Sequence, residues 1–454
     1  MTDINLTGRP GTPGVNGLRI ASLIALLGAA AFVSAGPGVG ATPPATQCAP
    51  AAAYPAAATA VAFWSTEARC AIVPPGPGGV YGTENFGNKF PGDAAVYMGI
   101  VHVAIDEAAG AIKSEAAPAE TSLTAAIATA AYVTLTGLKL GVNQTILDND
   151  YNAYLAAVPD GTAKTDGISV GQQVAQTVLA QRANDGRDCS TTLADLNPPA
   201  AGPGIWQPNP PPLPGAQPPP VLGLCLPGMR PLAHGGSRFQ PGPPNNLRSR
   251  KYADDFNQIK DLGSIDSKSR TSEQTTQARF WTDHDTRQWN DGMLRLAAAR
   301  GLDLVQTAHM LAMAHVAGAD ALIACFAAKY HYWFWRPYQA IPQAYADNNP
   351  ATLADPNWQP LGQPPLGTPN HPEYPSAHAC HSTAVVTALE EFFGTDEIPF
   401  ALDSRITQTT SDYARLGDVV TDVIAARVLI GFHFLSSDLE GAKLGQKVGR
   451  ADRD

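Results

Sequence analysis

The chain is 454 residues long, 44% apolar and only 15% charged, with 42 Gly, 40 Pro and a formal net charge of −10. That length can bury a large core, while so few charges and so much Gly and Pro exclude a coiled coil and a highly charged disordered chain. The negative balance disfavours nucleic acid and anionic membrane surfaces as partners, so a bound anion has to be held by a local cluster of cations.

At the amino terminus, polar residues carrying Arg9 and Arg19 precede an almost wholly apolar run from Ile20 to Ala35, then Gly, Pro and small residues. This is the layout of a secretory signal, with Ala35 or Ala41 as cleavage points. Residues 1–41 are therefore expected to be a signal or N-terminal anchor, and the protein to be exported, secreted or periplasmic. The run falls short of the ~20 residues of a comfortable membrane span, and no other stretch is expected to cross a membrane. All six cysteines lie beyond it. Cys48 with Cys70 and Cys189 with Cys225 bracket loop-rich stretches and suit disulfides, whereas Cys325 and Cys380 read as buried small hydrophobes.

Residues 42–454 are expected to form one all-helical domain. Residues 41–92 suit extended chain or short helices. An N-terminal helical half covers about 90–190, with helical patterning from Ala94 to Asp185 and breaks near Gly110, Gly141 and Pro159. A crossover over 197–245 follows, in which Pro198 to Pro220 holds 11 prolines, forbidding regular helix or sheet. The C-terminal half, 270–450, opens with N-cap chemistry at Thr271-Ser272-Glu273 and an amphipathic run to Arg300. Asp303 to Trp335 is expected to continue as a core helix, since His309, His315 and Asp320 interrupt its apolar run. A proline-rich loop spans Asn348 to Pro372, and helices are expected at Ser376–Phe393, Ser411–Ile430 and Ser437–Val448. With no internal repeat and no strong period-2 run, the fold class is all-α: bundled helices with long proline-rich loops.

Three short segments carry the chemistry. In Lys329-Tyr-His-Tyr-Trp-Phe-Trp-Arg336-Pro337 the two cations, seven apart, are expected within roughly 20° of one helix face, with Pro337 ending the helix. In Tyr374-Pro375-Ser376-Ala377-His378, Pro and Ser at a helix start leave backbone N–H groups at the positive end of the dipole, with the Ser376 hydroxyl as a further donor. In Arg427-Val-Leu-Ile-Gly431-Phe-His433, Gly431 suggests a helix end that turns His433 back toward Arg427. Together these supply three cations, neutral donors and two histidines, an inventory suited to a tetrahedral or trigonal-bipyramidal oxyanion. No carboxylate cluster with metal-ligand spacing accompanies them, which disfavours a hard-cation site. Cys380-His381 beside His378 imitates a metal motif, but a helix spreads these residues over different faces. His309 and His315, six apart, read as core or surface.

Lys–six residues–Arg-Pro, then Pro-Ser-x-His, then Arg–five residues–His resembles the superfamily joining type-2 phosphatidic acid phosphatases to vanadium-dependent haloperoxidases, and is closer to its bacterial haloperoxidase branch. Asn370-His-Pro-Glu-Tyr-Pro-Ser-Ala-His378, Gly431-Phe-His-Phe434, Arg270-Thr-Ser-Glu-Gln274, Ala278-Arg-Phe-Trp281 and Gly204-Ile-Trp206 add to the likeness, which covers about residues 90–450. The resemblance implies the helical bundles of the haloperoxidase and acid phosphatase type, and vanadate as cofactor. Lys329, Arg336, Ser376, Arg427 and the Ala377 N–H would hold the non-axial oxygens, His433 would ligate vanadium, and His378 would be the acid–base group. Hydrogen peroxide, halide and an organic acceptor are the implied reactants, with Lys329 polarising the peroxide and hypohalous acid as product. The same cage supports two alternatives: a metal-independent phosphatase acting through a phosphohistidine at His433, and a non-catalytic exported oxyanion-binding protein. The sequence departs from the family at Ala377, where Gly is common, and at Ser437, which leaves His433 without the carboxylate that many phosphatase-type members carry four residues on. The sequence specifies no oligomeric interface.

Overall fold

The computed structural model describes residues 59–73, 87–113, 122–141, 144–211, 215–233, 239–362 and 367–452. The signal segment and Cys48, and with it the Cys48–Cys70 pairing, lie outside the described residues. The N-terminal helices are α1 (Thr59–Ile72), α2 (Pro91–Lys113), α3 (Leu123–Gly137), α4 (Gln144–Ala156) and α5 (Thr162–Gln181). After the proline-rich crossover come α6 (Arg250–Leu262), α7 (Ser272–Phe280), α8 (Asp285–Arg300), α9 (Leu304–Tyr332) and the single turn α10 (Pro337–Ala340). The chain ends with α11 (Ala377–Phe393), strands β1 (Phe400–Ser404) and β2 (Thr409–Tyr413), α12 (Leu416–Leu429) and α13 (Leu435–Ala451).

α9 is the axis of the molecule. Asp303 caps it in a capping box with Gln306, and Ala and Leu on nearly every face let it pack against α2, α11 and α13 at once. By length and apolar composition both α2 and α9 could cross a membrane, contrary to the expectation that no further stretch could. Here they pack into the core, 67% and 83% of their apolar windows being buried. Ala, Val and Leu from both helical blocks join one hydrophobic core around them.

α13 lies close along α11 because it presents Gly441, Gly445 and Gly449, four residues apart on one face. A Cβ on Gly445 would sit 2.2 Å from the Cys380 carbonyl oxygen, and one on Gly441 2.6 Å from that of Ser376. This contact fixes the start of α11, where Ser376 stands, against the residues that follow His433.

Several local expectations are corrected. Gly110 does not break α2, because Ala108 and Ala109 beside it are buried while Gly110 itself faces open space. The run from Thr271 to Arg300 is two helices parted at Trp281–His284. α6 was not anticipated: its buried Tyr252, Phe256 and Ile259 recur at helical spacing inside a segment that reads as polar. The antiparallel pair β1–β2 was likewise missed, and Ser411 to Tyr413, expected to be helical, belong to β2. Each strand has only five residues, too few for alternation to stand out. The hairpin is held by packing, with Phe400 stacked on Trp289 at 5.4 Å. Cys189 and Cys225 form the expected disulfide, and Cys325 and Cys380 are free and buried.

Candidate oxyanion site

The first surprise is how Lys329 and Arg336 meet. α9 ends at Tyr332, and Trp333 takes a left-handed backbone with φ 52°. Phe334 then pairs as a bridge with Ile205 of the crossover, and the Trp335 N–H donates to the Gly204 carbonyl at 3.0 Å. Arg336 is thus the N-cap of α10 and Pro337 its first residue, so Pro337 opens a helix instead of closing one. The two cations therefore share no helix face. A chain reversal stapled by the crossover carries Arg336 back to the site.

Both side chains are 0% exposed. Lys329 Nζ donates to the carbonyls of Pro372 and Glu373 at 2.9 and 2.8 Å, which leaves one of its three N–H donors unused. Arg336 donates from Nε to the His371 carbonyl at 2.9 Å and from a terminal nitrogen to the Phe432 carbonyl at 3.1 Å. Arg427, 1% exposed at the end of α12, donates to the Trp281 carbonyl at 2.7 Å. That acceptor exists because the helix breaks at Trp281. The Arg427 Nε is buried without a partner, and the guanidinium lies 5.1 Å from the Phe432 ring. Burial pushes the Lys329 ammonium down to about 8 and both guanidinium groups to about 10, so all three remain cationic at neutral pH.

Ser376 caps α11 without using its side chain: its buried Oγ bonds no amide of the helix and lies beside the buried Asp438 carboxylate. Pro375 precedes the cap instead of standing inside the helix. The N–H groups of Ala377, His378 and Ala379 are the unpaired amides that every helix start leaves. Ala377 occupies the first helical position with negative φ, so the chain needs no glycine there and the extra methyl causes no backbone strain. His378 follows, its Nε2 buried and unpartnered. Burial, and then the nearby Arg427, hold its pKa down to about 3, so the ring is neutral.

Gly431, with φ 82°, ends α12 and turns the chain as expected, bringing His433 to the site. His433 is not without a carboxylate. Glu373 Oε1 accepts from His433 Nδ1 and from the Phe434 N–H, both at 3.0 Å, while Oε2 accepts from the Ser437 hydroxyl at 2.7 Å. The departure at Ser437 is thereby explained: the orienting carboxylate comes from the loop before α11, and Ser437 holds it. Nδ1 faces the carboxylate, which leaves Nε2, with no protein hydrogen bond, to meet a ligand. Burial raises Glu373 to about 7 against the pull of Lys329, and drives Asp438 well above the carboxylate range. Three buried cations outnumber the carboxylates that stay ionised beside them, so the cage carries a positive balance inside a negative protein.

The seven sequence-predicted residues, Lys329, Arg336, Ser376, Ala377, His378, Arg427 and His433, lie around one cluster, in which all but the half-buried Ala377 and His378 are buried. Sequence reasoning gave no role to Glu373, His371, Trp281, His284 or Asp285, although Trp281 closes the Ala278–Trp281 motif. Glu373 and His371 stood in the quoted Asn370–His378 segment, and only their position between two motifs hinted at them. Among the described residues no group of three or more His, Cys, Asp or Glu could hold a metal ion. The groups left over are cations, a hydroxyl, helix-start amides and the Nε2 atoms of His378 and His433, which is the chemistry of an anion with several oxygens. His309 lies at the surface, 3.0 Å from Asp106, and His315 is in the core.

Residues 309–453 match the family model described as the VCPO second helical-bundle domain. The fold is similar to the crystal structure of a bacterial vanadium-dependent iodoperoxidase, with TM-score 0.64 and 21% identity over 86% of this chain and 94% of that one. It is also similar to a holo-type bacterial vanadium-dependent chloroperoxidase, with TM-score 0.61 and 16% identity over 84% of this chain and 95% of that one. The apo-type chloroperoxidase gives TM-score 0.61 and 16% identity over 80% and 94%. No curated protein sequence matches the chain. The chain therefore has the helical-bundle fold of the vanadium haloperoxidases, and its last third carries the second bundle domain of that type.

Proposed function

We propose that this protein is a vanadate-dependent haloperoxidase, oxidising halide with hydrogen peroxide to a hypohalous-acid-type species that halogenates an organic acceptor. The observation that carries the reading is the pairing of His433 with Glu373 beneath three buried cations, which leaves Nε2 as the one ligating atom of an anion cage. Lys329, Arg336, Arg427, the Ser376 hydroxyl and the Ala377 N–H would hold the oxygens of vanadate, and His433 Nε2 its vanadium. When bound, vanadate supplies the electrophilic centre that activates hydrogen peroxide toward halide.

The protein's own groups do the rest. His378, neutral because its pKa is held down to about 3, accepts the peroxide proton at Nε2 and returns it to the departing oxygen. Lys329, with one N–H left unused, would donate to an oxygen of the bound anion and withdraw charge from it. Burial of the cage keeps these charges strong by excluding water.

The test is bromination of a phenol-type dye by the purified protein with hydrogen peroxide, bromide and orthovanadate, with para-nitrophenyl phosphate hydrolysis run without vanadate. Vanadate-dependent bromination abolished in His433→Ala is the expected result. Phosphate ester hydrolysis without bromination would make the protein a phosphatase, and silence in both would make it an oxyanion-binding protein. We also propose that the protein is exported, on the patterning of residues 1–41 and the Cys189–Cys225 disulfide. A mature amino terminus near Ala35 or Ala41 is the expected outcome of sequencing the secreted material.

A further inference from the structure

Behind His378 stands an imidazole–carboxylate pair that the reading above does not use. His381, three residues on in α11, places Nδ1 3.2 Å from Oδ2 of Asp285, and both side chains are 2% exposed. The contact sets a ring nitrogen against a buried carboxylate oxygen at ion-pair distance. Asp285 opens α8, and its other oxygen accepts the Thr286 N–H at 2.7 Å. The Asp285 charge also acts electrostatically on His378, His284 and, from α12, Arg427.

The surroundings are shaped for this ring. A Cβ on Gly318 of α9 would lie 2.7 Å from His381 Nε2, so glycine at that position is what gives the imidazole its room. Trp289 Nε1 donates to Ser382 Oγ at 3.2 Å, which ties α8 to α11 beside the pair. A side chain wanted only for packing would need neither a nitrogen toward a buried carboxylate nor a glycine cut into the neighbouring helix.

We propose that His381 is a positioning residue: by facing Asp285 it sets the carboxylate against His378 and Arg427, so that His378 presents Nε2 to the cage. This rests on the reading of His378 as the acid–base group. The charged and titratable groups facing His378 are Asp285 and His284 at the start of α8, Arg427 from α12, His371 from the preceding loop and His381 on its own helix.

The test compares His381→Phe, which removes the nitrogens, with His381→Asn, which keeps a donor. The first readout is the imidazole 15N spectrum of the protein without vanadate, and the second the pH profile, kcat and KM of bromide oxidation with it. His381→Phe is expected to move the His378 resonances, shift the acidic limb of the profile and lower kcat about 10- to 100-fold, with the KM for peroxide little changed. His381→Asn is expected to restore part of both. Unchanged His378 resonances and an unchanged profile, with only a lower Tm, would overturn the proposal and leave His381 as packing. Should His381→Phe fail to fold, Gly318→Ala, which displaces the ring, must move the same resonances or the proposal falls. Resonances that respond in a protein without bromination would support the coupling and overturn the haloperoxidase reading alone.

Discussion

Glu373 and His433 are 60 residues apart in the chain, yet Oε1 of the one and Nδ1 of the other lie 3.0 Å apart in the buried centre of the molecule. Glu373 is held at the same time by the Phe434 N–H and the Ser437 hydroxyl. The orientation of the His433 ring is therefore set by a carboxylate that is itself locked on both oxygens.

Glu373→Gln keeps the shape and removes the charge. It is expected to lower vanadate affinity or bromide kcat/KM about 10- to 100-fold, the usual cost of losing an orienting partner behind a metal-ligating histidine. Ser437→Ala, which loosens only one oxygen, is expected to cost less. Vanadate titration by calorimetry and steady-state bromination check both, and an unchanged Glu373→Gln enzyme would contradict the orienting role.

Lys329 gives the cage a pH dependence of predictable sign. Burial lowers its pKa to about 8, so in the anion-free protein the charge is present below that pH and lost above it. Vanadate affinity should fall as pH rises through about 8, and Lys329→Gln should bind more weakly while losing the protein's contribution to that limb. Dissociation constants from pH 6 to 10, compared between the two proteins, measure the difference.

Arg427 has the most donors to offer, since only one terminal nitrogen is hydrogen-bonded. A charge-assisted hydrogen bond is worth ~1.5–3 kcal/mol, so Arg427→Ala is expected to weaken vanadate about 10- to 100-fold. Arg427→Lys should recover part of this by charge but not by its fork geometry. Equal affinities for the Lys and Ala variants would show that charge at this position contributes little.

Gly445→Ala tests the seat of α11. Its new methyl would begin 2.2 Å from the Cys380 carbonyl oxygen, and backbone cannot yield as a flexible side chain does. Overpacking of this kind costs about 1–3 kcal/mol, read as a lower denaturation midpoint. The exposed Lys443→Ala on the same helix should change stability by no more than ~0.5 kcal/mol.

How much of this was legible beforehand differs from residue to residue. The apolar run that becomes α9, the prolines that forbid structure in the crossover, the turn at Gly431 and the Cys189–Cys225 disulfide follow from local chemistry, and each can be read directly. The cation and histidine motifs also named the cage. The expected geometry of Lys329 and Arg336 failed because helical periodicity cannot reveal where a helix stops. Trp333 takes up its left-handed turn where Ile205 and Gly204 dock on the chain beyond it. The hairpin and α6 were missed because what holds them is burial against partners far along the chain.

Composition and spacing by themselves pointed to a helical protein, and to cations and histidines in three short segments as a local exception to a negative chain. Those facts depend on residue type and local backbone preference, which every short segment carries with it. Tertiary structure decided the rest: that Glu373 orients His433, that Trp281 frees its carbonyl for Arg427, and that Gly318 leaves room for His381. Each of these is a contact across long loops. Burial makes each of these groups depend on the neighbour that pairs with it or leaves it room, and a linear sequence does not state which groups will be buried side by side.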